Sequence, residues 1–251
     1  MAAIILTLSL VLTATGGCLE SGGGGGGRPP VGAYNKDYLR GRPYDALFIE
    51  IDYVKGFPPS EEAIDHLRDR IGGYCEKGSI TVDWKAFDSD DDRYTLEEIV
   101  ELEREHRTSW RHDGTIVLYV LYLNGEYSGN RNALGLAYYA DAFVVFKERI
   151  EDVATTRLDN PFLVSSNDIE KSVLVHEFGH LLGLVNINYR SGRDHEDPEH
   201  ENHCIHEDCV MNAQIETTAI ANLINTGGTS NKPPTDFCAD CQADLHTIAG
   251  G

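Results

Sequence analysis

The alternation of apolar and polar positions lays out a series of elements before any chemistry is considered. Ala46 to Val54 alternates late in its course, Ile49, Ile51 and Tyr53 against Glu50 and Asp52, which predicts a strand with one solvated face. Ser60, after two prolines, opens a helix with Glu61 and Glu62 in its first turn and Ile64, Leu67 and Ile71 as its buried stripe; Gly72-Gly73 should end it. Ser79 to Trp84 alternates again as a second strand. Thr95 with Glu98 forms a capping box for an acidic helix running to about Arg107, whose charge reads as a solvated face. Thr115 to Leu123 is β-branched and aromatic with no polar alternate after Thr115, so it predicts a central strand covered on both faces. Asn124-Gly125 turns the chain, and Leu134 to Ala140 and Ala142 to Phe146 are further strands.

The next stretch, Asn167 to Val185, is apolar on more than one face. Asn167 with Glu170 reads as its capping box. Ile169 and Val173 share a stripe with His176 and His180, while Leu174, Phe178 and Leu181 form a second stripe beside it. A helix of this kind is buried. The element order predicts an α/β (α+β) layer with a twisted mixed sheet.

Length and composition then set the frame. The chain has 251 residues, and roughly 220 of them follow the amino-terminal segment, enough for one domain with a good core. Ala2 to Thr15 is an apolar run too short to span a bilayer, followed by Gly16-Gly17-Cys18 and then by Gly22 to Gly27. That order resembles a prokaryotic lipoprotein signal. The resemblance implies a signal peptide over 1–17, a lipidated Cys18 opening a glycine-rich tether over 18–32, and a domain over 33–251, exported and anchored to the membrane by lipid. A plain secretory signal with an incidental cysteine is the alternative, and the lack of Lys or Arg before Arg28 departs from the usual leader. The formal net charge of −20, from 41 acidic against 21 basic residues, argues against nucleic acid and anionic membrane surfaces as partners. It also suits a halophilic, archaeal source; an ordinary acidic exported protein is the alternative. A monomer is expected.

Candidate chemistry sits at the centre of the buried helix, His176-Glu177-Phe178-Gly179-His180. Two imidazoles and a carboxylate in an apolar setting cost several kcal/mol unless each has a partner. The four-residue spacing places both His side chains on one face, one turn apart, where they can meet a single Zn²⁺. Glu177 lies beside them, placed to take a proton from a water activated by the metal. HExxH is short, so its surroundings must decide.

With Gly183 added, the run resembles the metzincin clan of zinc peptidases, whose longer motif is HExxHxxGxxH. The third ligand of that motif would fall at Asn186, which is not a histidine. Downstream, after a polar insertion over Ile187 to Asn202, His203-Cys204 is followed by four residues, Cys209, Val210 and Met211, and later by Cys238-Ala239-Asp240-Cys241. This resembles the archaemetzincin signature, although the interval from Met211 to Cys238 is longer than in that pattern. The resemblance implies a metzincin-like fold with a small irregular C-terminal subdomain and a zinc-dependent endopeptidase acting on polypeptides. It further implies His176, His180 and His203 as catalytic zinc ligands, Glu177 as general base, and Met211 in a turn beneath the metal. His195 and His200 in the insertion are alternatives to His203.

Cys204, Cys209, Cys238 and Cys241 have the paired short spacings of a structural four-thiolate zinc site, and the same four suit disulfides in an oxidising compartment. Cys75 is left over as an unpaired, buried thiol. In a metzincin-like fold, Leu134 to Ala140 would lie at a sheet edge able to pair with an extended peptide. A zinc-stabilised surface module without turnover is the competing functional reading.

Overall fold

The computed structural model describes residues 27–155, 164–223 and 232–250, so the leader, Cys18 and the glycines up to residue 26 lie outside the described residues. The chain runs α1 (Asn35–Leu39), β1 (Ala46–Val54), α2 (Glu61–Tyr74), β2 (Ser79–Phe87), β3 (Arg93–Tyr94), α3 (Leu96–His106), β4 (Thr115–Leu123), β5 (Glu126–Tyr127), β6 (Gly135–Tyr139) and β7 (Ala142–Phe146). Then come α4 (Lys147–Thr155), α5 (Ser166–Leu181), β8 (Glu196–Asp197), β9 (His200–Cys204), α6 (Ile220–Leu223) and α7 (Ala239–Gly250). No helix among the described residues is long and apolar enough to cross a membrane.

Five strands form one sheet in the order β2-β1-β4-β7-β6, parallel except for the antiparallel edge strand β6. Strand β4 sits at its middle, and the pleat sends alternate residues to two cores. Ile116, Leu118, Val120 and Tyr122 pack with α2 and α5 on one face; Tyr119, Leu121 and Leu123 pack with Tyr94 and Ile99 on the other. This is the covering on both faces that its uninterrupted apolar run predicts.

Three expectations need correction. Strand β1 has no solvated face: Glu50 accepts from the amides of Thr108 and Ser109 at 2.6 and 2.8 Å, and Asp52 accepts from the Tyr119 hydroxyl at 2.9 Å. The turn after α3 covers Glu50, and both acids are buried. The glycine pair does not end α2, which runs on to Tyr74 before the Cys75 cap. The acidic helix α3 is capped by Thr95 and Glu98 as its sequence predicts, but its charge is not all solvated. Glu103 is fully buried and meets Arg107 at 2.6 Å and Arg28 at 2.5 Å, while Asp141 meets the same two arginines at 2.9 and 2.7 Å. Arg28, counted with the tether, is therefore bonded into the domain, and Pro29 accepts from the Ala140 amide beside it.

Candidate metal centre

Helix α5 supplies the first half of the site. It begins with Ser165 as its cap, whose hydroxyl accepts from the Asp168 amide at 3.1 Å, so the expected Asn167–Glu170 capping box is not formed. Glu170 turns inward instead and takes Lys147 at 2.5 Å, the Tyr122 hydroxyl at 2.9 Å and the Ser60 amide at 2.9 Å. A buried carboxylate with a cation and two further donors is satisfied, and it fastens α5 to α4, β4 and α2. The helix stops at Leu181, earlier than its apolar pattern suggests, because Gly183, Val185 and Asn186 all take positive φ (77°, 51° and 68°) and swing the chain away.

His176 and His180 face one another across a turn, with their Nε2 atoms 3.0 Å apart. His176 Nδ1 donates to the Val210 carbonyl at 2.7 Å, which leaves its Nε2 as a bare acceptor. His203 on β9 donates from Nδ1 to the Glu201 carbonyl at 2.8 Å in the same fashion, and its Nε2 is buried without a hydrogen-bond partner. Its ring stacks on His176, centroids 5.3 Å apart. The structure therefore brings His203 to the helical pair. His200 is exposed and bonded to Asp197, while His195 is buried elsewhere. Asn186, where the longer motif has its third histidine, instead donates to Glu196 and accepts from the Ser191 amide, bracketing the base of the insertion.

A residue without any sequence signal completes the set. Glu216 extends its carboxylate to 3.7 Å from His176 Nε2, 3.9 Å from His180 Nε2 and 3.5 Å from His203 Nε2. One donor atom from each of the four residues lies within 4.8 Å of all the others. Burial pushes the His176 and His180 rings below the usual imidazole range, holding them neutral, and the charges of the neighbouring imidazoles add to this at His180. Burial also pushes the Glu216 carboxyl up, but His176 and His203 outweigh it and hold the acid far below its ordinary range. Acceptor nitrogens and a carboxylate converging on one point repel unless a cation lies among them, and imidazole plus carboxylate is a donor set that zinc accepts.

Glu177 lies next to this cluster, fully buried, and neither of its oxygens has a hydrogen-bond partner among the described residues. Burial raises its pKa well above the usual carboxylate range and the Glu216 charge adds to the rise, with the Ala137 backbone pulling slightly the other way. Below the helix, Met211 packs against Gly179 so closely that a Cβ there would be 2.3 Å from its sulfur.

A second cluster lies behind His203. Cys204, Cys209, Cys238 and Cys241 are free thiols, with Sγ–Sγ separations of 3.7 Å for Cys204–Cys238 and 3.6 Å for Cys209–Cys241. Zinc–sulfur bonds of about 2.3 Å in a tetrahedron give sulfur–sulfur edges of about 3.8 Å, so the spacing fits a four-thiolate site. A disulfide needs about 2.05 Å. Hydrogen bonds converging from the other three cysteines hold the Cys238 thiol far below its ordinary range, and Cys209 draws Cys204 down to about 6. The amides of Met211 and Cys238 point at Cys209 Sγ, 3.4 and 3.3 Å away. His195 joins this cluster rather than the histidine one: Nδ1 is 3.4 Å from Cys204 Sγ, and Nε2 is 2.9 Å from Asp244. Cys75 stands apart, its thiol pushed up to about 12 by burial.

No family model and no curated protein matches the sequence. Among solved structures, the archaemetzincin of Methanopyrus kandleri superposes with a TM-score of 0.52 at 16% identity, over 82% of this chain and 97% of that one. The chain has the archaemetzincin fold. The archaemetzincin of Archaeoglobus fulgidus (TM-score 0.43, 14% identity, 79% and 99% covered) and metalloproteinase-II of Bacteroides fragilis (0.46, 14%, 85% and 56%) are also similar in structure. Within the archaemetzincin fold of this chain, the long helix, the edge strand β6 and the two histidine- and cysteine-lined clusters stand side by side.

Proposed function

We propose that this chain is a zinc-dependent endopeptidase in which His176, His180 and His203 hold the metal and Glu177 is the general base. The observation that carries the reading is the Glu177 carboxyl: fully buried, without a hydrogen-bond partner among the described residues, and next to three converging imidazoles. Such a group costs several kcal/mol of stability, and a purely structural metal site has no use for it. A zinc ion there would polarise the scissile carbonyl and lower the pKa of water within its reach. Glu177 would take the proton of the attacking water and deliver it to the leaving amine. Strand β6, the edge strand of the sheet among the described residues, would offer its main chain for pairing with an extended polypeptide.

The four thiolates would hold a second, structural zinc. The chain would act as an exported monomer tethered by lipid at Cys18, with polypeptides as its partners and no affinity for nucleic acid. The acidic excess of the sequence supports that last reading and a salt-rich habitat with it. A Glu177→Gln variant tests the central claim. It should keep its full metal content and lose cleavage of unfolded protein; undiminished cleavage would sink the assignment. A metal-stabilised module without turnover is the second reading, and it draws on Glu216, which gives the histidine centre the four protein ligands of a closed site.

A further inference from the structure

We propose that Glu216 is a fourth protein ligand of the histidine centre, so that the chain itself closes the position through which substrate must enter. The inference rests on the zinc peptidase reading above and assigns that site a latent resting state. Three distances carry it. The Glu216 carboxylate stands 3.5, 3.7 and 3.9 Å from the three Nε2 atoms, with one oxygen towards His203 and the other towards His176 and His180. Donor atoms on a tetrahedron with bonds of about 2.1 Å lie about 3.4 Å apart, so the carboxylate sits near the fourth vertex of the set. Among the described residues His203 Nε2 has no hydrogen-bond partner, and the Nδ1 atoms of His176 and His203 face away from the carboxylate, towards the backbone carbonyls of Val210 and Glu201.

The backbone delivers this side chain deliberately. The Glu216 carbonyl accepts from the Leu134 amide at 2.7 Å, the Thr218 amide donates to Asn132 at 2.8 Å, and Ala133 and Thr217 form a bridge between the two segments. Ile215 beside it is fully buried. Glu216 thus lies on a strap fastened to the start of β6, the edge at which a peptide would add. Catalytic zinc sites keep one position open, whereas four protein ligands make a closed one. Turnover therefore requires Glu216 to leave the metal.

The test compares the wild type with Glu216→Ala and with the isosteric Glu216→Gln, each first checked for an unchanged circular dichroism spectrum. Zinc retention is measured by competition with a chromophoric chelator. Access to the centre is measured by titrating azide into the Co²⁺-loaded proteins, where the four-thiolate site stays silent because it has no exchangeable position. The expected result is a wild type blind to azide, variants that bind it saturably, zinc held about tenfold or more weakly in the variants, and faster peptide cleavage by Glu216→Ala. Equal zinc affinity and equal azide response in all three proteins overturn the proposal while leaving the peptidase reading intact. Azide-responsive variants that cleave nothing uphold Glu216 as ligand and overturn the peptidase instead. Absence of metal from the histidine centre of every protein overturns both.

Discussion

A Cβ on Gly135 would lie 2.4 Å from Oε1 of Glu177, so the buried carboxylate occupies the space where the first residue of β6 would otherwise carry a side chain. The sheet edge and the helix pack closely here, and glycine is what lets the carboxylate in.

Replacing Gly135 by Ala should therefore disturb chemistry before stability. Glu177 has nowhere to retreat within a packed interior, and a displacement of about 1 Å of a reacting group costs about a hundredfold in rate. Gly135→Ala is expected to keep its zinc and to lose peptide cleavage by about that factor. Steady-state assay beside metal analysis checks this, and unchanged turnover would show that Glu177 is not held by this contact.

Gly179 faces Met211 from within the helix. An added methyl would meet the sulfur at 2.3 Å and the Phe237 ring at 2.9 Å, and Met211 is fully buried with no room to swing. Alanine gains about 1 kcal/mol of helix propensity over glycine, yet overpacking costs about 1–3 kcal/mol, so the net sign is destabilising. Thermal unfolding of Gly179→Ala should show a lowered midpoint. The double variant with Met211→Ala, which removes the obstructing sulfur, should recover part of the loss.

The thiolate cluster makes a stoichiometric prediction. Wild type purified under reducing conditions should carry two zinc ions per chain and Cys209→Ser one, by elemental analysis. His195→Ala should retain both but surrender the thiolate-bound ion to a chelator about tenfold more readily, because the Asp244–His195–Cys204 relay no longer supports the sulfur. Two disulfides in place of free thiols, read by thiol titration after denaturation, would refute the structural-zinc reading.

Arg107 is the cation of a buried network. It bonds Glu103 and Asp141 and lies 3.9 Å from the Trp110 ring centroid, and its own side chain is wholly shielded. Arg107→Ala leaves two carboxylates sharing only Arg28, and removing one partner of a buried pair costs about 3–5 kcal/mol. Denaturant unfolding should place the loss near the low end of that range, since Arg28 remains. Arg28→Ala, at a half-buried position, should cost less.

Elements with a strong period were legible in the sequence, because period is set by which face a residue turns to the core. Strands β1, β4 and β7 and the cores of α2, α3 and α5 belong to this class. The polar residues that pair at long range were not legible. Glu50, Asp52 and Glu103 read as solvated and Glu170 as a helix cap, since partners such as Thr108, Tyr119, Arg28 and Lys147 arrive from other segments that no local pattern announces. Helix α7 escaped notice because only Leu245 and Ile248 mark its buried side between polar neighbours, and its first turn looks like a metal motif. At the site, spacing alone announced His176, Glu177 and His180. His203 rested on the cysteine next to it, and the structure places that histidine with the helical pair while removing His195 and His200 from it. Glu216 lay in an aperiodic polar stretch, where nothing distinguishes an acid pointing inward from one in water.

His203 and Cys204 are consecutive residues on β9, and the pleat turns one towards the imidazoles and the other towards the sulfurs. The peptide bond between them consequently joins the two clusters. An oxidant that rearranged the sulfurs would drag that bond and carry the third imidazole off its mark, so damage to the cysteine cluster would reach the histidine cluster without touching it.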